Sequence, residues 1–158
     1  MTQVAVCGPR HCADEEAENA YRVGRLLAAR GVVVVCGGGI GVMAAVSAGA
    51  REAGGTVVGI RPDDDPAAAN QDLSITLFTN LGEARNAVIV WSADAVIAIG
   101  GSWGTLSEVA LAKRRGGIPV VQLGGWHVTD AEGQLVPGIH YVDTAEDAVR
   151  AALTTGQT

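Results

Sequence analysis

Short runs of valine, isoleucine and alanine recur along the chain. Each is followed by a stretch whose apolar residues return every three or four positions. Gln3–Cys7 predicts a first strand. Residues 13–30 predict a helix, with Ala17, Ala20, Val23, Gly24, Leu27 and Ala28 on one stripe and Arg30-Gly31 as its stop. The next run, 32–36, is four valines and a cysteine. Such a segment lacks the alternation of a half-exposed strand and suits a parallel strand buried on both faces.

The same alternation continues to the C-terminus. Residues 41–53 predict a helix and 56–60 a strand. Residues 61–72, with Pro62, Asp63, Asp64, Asp65 and Pro66, predict a loop. Ile75–Phe78 reads as a short strand, 82–92 as a helix, Ala95–Ile99 as a strand and 105–115 as a helix. A strand over 118–123, an irregular hairpin-like stretch over 124–137, a strand over 139–142 and a helix over 144–153 complete the pattern. The last few residues are expected to fray. Strand–helix alternation with fully apolar strands implies an α/β fold: a Rossmann-like, doubly wound, mostly parallel sheet with helices on both faces.

The chain has 158 residues, which fits a single domain spanning 1–158 with a core of its own. Only 4% of residues are aromatic and 22 are glycine. Small side chains of this kind allow close packing and let backbone approach a ligand. The net charge of −6 argues against a broad electrostatic footprint for nucleic acid or an anionic membrane. A small anion is compatible with it, because backbone amides bind phosphate without a basic surface. Three cysteines, Cys7, Cys12 and Cys36, form neither a disulfide framework nor a metal motif. Cys7 and Cys36 close apolar strands and read as small buried hydrophobes. With no basic leader and no apolar run of membrane length, the chain is expected to be cytoplasmic.

Ligands of doubly wound sheets sit beyond the carboxyl ends of the strands, near the point where strand order reverses. That rule selects Gly8, the loop from Gly37 to Gly41, the segment 59–61 and the loop from Gly100 to Gly104. Gly37-Gly38-Gly39-Ile40-Gly41-Val42-Met43 joins a buried strand to a helix, where successive N–H groups and the helix dipole favour an anion. A tight turn needing positive φ is the competing explanation. The spacing Gly39-x-Gly41-x-x-Ala44 also satisfies the dinucleotide fingerprint. The next strand, however, leads to Arg61 rather than to an acid, which would suit NADP.

The stronger motif is Gly100-Gly101-Ser102-Trp103-Gly104-Thr105-Leu106-Ser107-Glu108, between a strand and a helix. Its glycines and the Ser102 and Thr105 hydroxyls offer donors to a phosphate or a ribose. Thr105 and Glu108 also have the spacing of a capping box, with Thr105 as N-cap. Arg85 lies among apolar neighbours and suits a bidentate anion clamp.

Together these segments resemble the LOG family, which includes possible lysine decarboxylases and cytokinin-activating phosphoribohydrolases. The family hallmark is an Arg-Lys pair followed by P-G-G-x-G-T-x-x-E, and here Arg85 and Gly100 through Glu108 align with it without gaps. The Gly37–Met43 loop resembles the family's G-G-G-x-x-G-L-M motif shortened by one residue, and Val4–Gly8 resembles its opening strand. The resemblance implies Arg85 and Glu108 as a catalytic pair. It also implies Gly101, Ser102, Gly104 and Thr105 as a phosphate-binding turn, with Gly8, Met43, Asn86, Gly100 and Trp103 beside them. The implied reaction is hydrolysis of a nucleoside 5′-monophosphate to free base and ribose 5-phosphate, with no cofactor and no metal.

Three positions depart from the hallmark: the family's lysine is Asn86, its proline Gly100 and its second glycine Ser102. This pattern is similar to a short branch that includes molybdenum-cofactor carrier proteins, which implies a phosphorylated pterin held without glycosidase chemistry. Trp103 and Trp126 are candidates to stack on a flat ring in either case. The partner is expected to be a small phosphorylated ligand. Ala-rich helices over 44–53 and 108–112, with the resemblance, lead to an expected homodimer. His11 is expected at most at the border of the cleft.

Overall fold

The computed structural model describes residues 1–154, so the expected fraying of the last residues falls outside the described part. Seven strands form one sheet: β1 (Gln3–Cys7), β2 (Val33–Cys36), β3 (Val57–Arg61), β4 (Ile75–Phe78), β5 (Ala95–Ile99), β6 (Val120–Leu123) and β7 (His140–Val142). Their spatial order is β4-β3-β2-β1-β5-β6-β7, and every paired neighbour is parallel. The chain moves outward from β1 to β4, then returns to place β5 on the other side of β1. The carboxyl ends of β1 and β5 therefore flank the point where strand order reverses.

Among the described residues five α-helices cover the two faces: α1 (Asp14–Ala28), α2 (Val42–Glu52), α3 (Arg85–Trp91), α4 (Trp103–Arg115) and α5 (Ala145–Leu153). Alternate residues of one strand serve different cores. Val4 and Val6 pack with α1, α2 and α5, whereas Ala5 and Cys7 pack with α3 and α4. Burial on both faces explains the absence of hydrophobic alternation in β1, β2 and β5. Each fully buried Val or Ile contributes about 1.5–3 kcal/mol, which lets strands of four or five residues persist. Helices α1 and α2 approach closely at two glycines. Gly24 lies against the Val46 carbonyl and Gly49 against the Tyr21 carbonyl, leaving no room for a Cβ at either.

Most predicted elements are present, with ends shifted by one or two residues. The predicted helix over 82–92 divides into a 3-10 turn (Gly82–Ala84) and α3. The loop after β3 contains a 3-10 turn at Pro66–Ala68, capped by Asp65 through the Ala67 N–H. The irregular stretch after β6 carries a single antiparallel bridge, Thr129 with Leu135. No helix among the described residues is long and apolar enough to cross a membrane.

The expected capping box is a correction. Helix α4 starts at Trp103, two residues before the predicted start, and its N-cap is Ser102. Ser102 Oγ accepts the Thr105 N–H at 3.2 Å and lies 2.9 Å from Thr105 Oγ1. Thr105 therefore sits inside the first turn. Glu108 falls too deep in the helix to reach a cap, and its carboxylate is free for another role.

Candidate functional site

A cavity of about 500 Å³ opens at the carboxyl ends of the central strands. Cys7, Gly8, Pro9, Arg10 and His11 line it from the end of β1 and the following loop. Gly37 and Met43 contribute from the β2–α2 junction; Pro62, after β3, and Gly82 and Glu83, before α3, also line it. Arg85 and Asn86 come from α3. Gly101, Ser102, Gly104, Thr105 and Glu108 come from the β5–α4 turn and α4. The sequence motifs on either side of the strand-order reversal thus meet in one cleft.

The β5–α4 turn leaves two backbone donors without a partner among the described residues. The first amides of a helix have no partner within it. Here the Thr105 N–H is taken by Ser102 Oγ and the Leu106 N–H by the Ser102 carbonyl. The Trp103 and Gly104 N–H groups remain, at the positive end of the helix dipole and between residues of the cavity wall.

The Gly37–Gly41 loop is used differently from expectation. Gly37 and Met43 reach the cleft, whereas Gly38, Gly39 and Gly41 are not on its wall. The carbonyls of Gly38 and Gly39 accept the backbone N–H and side-chain amide of Asn70, at 2.9 and 3.2 Å. Gly41 has φ of +68° and lies against the Pro9 and Arg10 carbonyls. The Val42 N–H donates to the Pro9 carbonyl at 3.1 Å. This loop therefore fixes the β1–α1 loop more than it cradles a ligand. Arg61, the residue that suited NADP, is buried and pairs with Asp63 through Nε and Nη2. It is turned into the protein, not presented to a ribose 2′-phosphate.

Arg85 is held as part of a network. Nη1 donates to the carbonyls of Gly37 (2.8 Å) and Ile60 (2.7 Å), and Nε donates to Asn86 Oδ1 at 3.0 Å. Asn86 is buried. Its Nδ2 donates to Ser107 Oγ at 2.9 Å, and that hydroxyl donates to the Gly104 carbonyl at 2.7 Å. One chain of hydrogen bonds thus joins the β2 and β3 ends to the β5–α4 turn. Arg85 serves this frame with two of its nitrogens, and Asn86 positions it instead of carrying charge.

Glu108 is 7% exposed and opens onto the cleft. Burial raises its pKa from 4.5 to about 7, against the lowering effects of a hydrogen bond with the Cys7 thiol and of Arg85. Burial and then Glu108 push the Cys7 thiol well above its ordinary range. Burial lowers the Arg85 pKa, and the Glu108 charge opposes that shift. A carboxyl that titrates near neutrality in a recessed cleft can donate a hydrogen bond, take a proton or carry a charge. Sequence reasoning missed Cys7, Pro9, Arg10, Pro62, Gly82 and Glu83, while His11, expected at most at the border, is on the wall. The signal available for Arg10 was its place just after Gly8, beyond the first strand.

The SLOG cluster4 family model matches residues 1–149. This chain belongs to the SLOG cluster4 family. Among solved structures, the SLOG chain is similar to the molybdenum cofactor binding protein of the phototrophic bacterium Rippkaea orientalis. Identity is 34% and the TM-score 0.84, over 94% of this chain and 93% of that one. It is also similar to the molybdenum cofactor carrier protein of Chlamydomonas reinhardtii, at 29% identity and TM-score 0.81, over 98% and 97%. A curated, uncharacterized protein of Archaeoglobus fulgidus is 43% identical over 116 residues, 73% of this chain and 76% of that protein.

Within this SLOG chain the three departures from the LOG hallmark have local causes. Gly100 has φ of +71°, which proline cannot adopt, and the Glu16 carboxylate fills the space of a Cβ there. Ser102 supplies the N-cap of α4, which a glycine would supply without a side-chain bond. Asn86 accepts from Arg85 and donates to Ser107, whereas a lysine has no acceptor to offer Arg85.

Proposed function

We propose that this protein binds and carries a phosphorylated pterin of the molybdenum-cofactor type, releasing it unchanged. The ligand phosphate lies at the first turn of α4, on the Trp103 and Gly104 N–H groups and the Ser102 and Thr105 hydroxyls. Arg10, His11 and Arg85 supply nearby positive charge or donors. The carrying observation is the pair of unpartnered amides, Trp103 and Gly104, in the first turn of α4, beside a cleft of about 500 Å³ in a chain that aligns over nearly its full length with proteins named for binding or carrying that cofactor. Cavities of this size hold ligands of small-cofactor dimensions.

The reading is tested by mixing the protein with molybdenum cofactor released from a molybdoenzyme, separating it by gel filtration and measuring molybdenum and pterin in the protein peak. Co-elution of both in constant ratio is expected. Absence of pterin from the peak overturns the reading. Light scattering on the same peak tests the expected homodimer.

A second reading, hydrolysis of the N-glycosidic bond of a nucleoside 5′-monophosphate, has one observation in its favour. Glu108 is recessed, opens onto the phosphate cleft and titrates near 7, which suits a group that steadies an oxocarbenium-like state or positions water. Release of ribose 5-phosphate that is lost in Glu108→Gln supports it. No release from any of AMP, GMP, CMP, UMP or IMP removes it.

A further inference from the structure

Two of the three tryptophans meet beside the anion turn. Trp103 opens α4 directly after Ser102, and Trp126 follows the Gly124-Gly125 turn after β6. Their ring centroids are 5.1 Å apart and the rings stand edge to face at 77°. Trp103 is 78% exposed and Trp126 41%. In a chain with 4% aromatic residues, two indoles are thus left in water at the edge of a ligand cleft.

The turn that carries Trp126 is tied to the β5–α4 turn. Gln122 Nε2 donates to the carbonyls of Gly100 (2.8 Å) and Gly124 (2.6 Å), tying the two glycine turns together. Gly125 lies so close over the Gly100 peptide that a Cβ at 125 would overlap it. The Trp126 ring fills the space that a Cβ on Gly101 would need, with Cγ 2.6 Å from that point. Gly101 is itself part of the cavity wall. One indole therefore packs against Gly101 of the cleft wall, and the other meets it edge to face.

We infer that the Trp103–Trp126 pair is the wall on which the planar ring system of the phosphorylated ligand lies, extending the site beyond the cavity. The inference rests on the α4 turn being the phosphate site. A phosphate on the Trp103 and Gly104 amides places the rest of the ligand next to the Trp103 indole. An edge-to-face pair already packed together stacks on a ring with little loss of side-chain freedom. The class of ligand selected is a fused heteroaromatic ring carrying a phosphate ester. A phosphate ester without a ring gains nothing from the pair.

Calorimetric titration with two probes, 6-hydroxymethylpterin phosphate and ribose 5-phosphate, tests it. Trp103→Ala is expected to weaken the pterin phosphate about tenfold, the scale of one lost aromatic stack, and to leave ribose 5-phosphate unchanged. Trp103→Phe, which keeps a ring, restores most of the affinity. Trp91→Ala, at the exposed tryptophan that packs on Arg115, changes neither ligand. Trp103→Ala binding the pterin phosphate as tightly as the parent, or weakening both probes equally, overturns the inference while the phosphate site stands. A parent protein that binds neither probe overturns both together.

Discussion

Asn86 Nδ2 donates to Ser107 Oγ across 2.9 Å and joins α3 to α4 beneath the cleft. The bond completes a path from Arg85 Nε, through the Asn86 side chain and the Ser107 hydroxyl, to the Gly104 carbonyl. The two sides of the site are thus held in register by neutral groups, at a position where the LOG hallmark has a cation.

Asn86→Ala removes both bonds and leaves Arg85 Nε without its acceptor. A loss of stability of about 1–3 kcal/mol is expected in urea denaturation, with weaker binding of a phosphorylated ligand. Ser107→Ala removes the bonds to Asn86 and to the Gly104 carbonyl but leaves Arg85 Nε paired, for a smaller effect, whereas Ser107→Thr keeps a hydroxyl and much of the affinity. Equal affinities in all three variants would contradict a positioning role.

Gly100 is the position where the family's proline is replaced. Gly100→Ala puts a side chain at positive φ and against the Glu16 carboxylate, for an expected loss of about 1–3 kcal/mol. Gly100→Pro is worse, because it also removes the N–H that donates to the Leu123 carbonyl at 3.1 Å. Denaturation midpoints check the order. A proline variant as stable as the parent would show that the turn is misassigned.

Glu108 makes stability depend on pH in a defined direction. Its folded pKa of about 7 exceeds the ordinary 4.5, so the folded state holds the proton more tightly than the unfolded chain. The contribution is fully present below about pH 4.5, falls as pH rises and is lost beyond about pH 7. The shift corresponds to about 3 kcal/mol. Glu108→Gln, which cannot ionise, should match the parent near pH 4 and exceed it in thermal stability at pH 8. A constant difference across this range would place the titration elsewhere.

The same proton bears on the ligand. A charged Glu108 repels a phosphorylated ligand and a neutral one does not. Parent and Glu108→Gln proteins should therefore bind 6-hydroxymethylpterin phosphate alike at pH 6, and the variant more tightly at pH 8. The ratio of the two affinities removes the ligand's own ionisation. A ratio that stays flat from pH 6 to 8 contradicts this.

The fold was legible because β1, β2 and β5 are apolar on both faces, which only a covered parallel sheet explains. The β5–α4 turn was legible because its glycines, Ser102 and Thr105 follow a strand at the point of strand-order reversal. The N-cap was placed at Thr105 because Thr105 and Glu108 have capping-box spacing. Capping depends on where the helix begins, and Ser102 starts it two residues earlier. The Gly37–Gly41 loop was overread because a glycine-rich turn looks the same in sequence whether amides face a ligand or carbonyls face Asn70. Cys7 could not be anticipated as a partner of Glu108, since their meeting depends on α4 packing over the end of β1.

The most direct test is amide chemical-shift mapping of nitrogen-15-labelled protein during titration with 6-hydroxymethylpterin phosphate. Saturable shifts centred on Gly8, Gly101, Trp103 and Gly104, with one ligand per chain, are predicted. Shifts confined to the groove between α1 and α5, around Tyr21 and Arg22, or no shift at the α4 turn, would contradict the account.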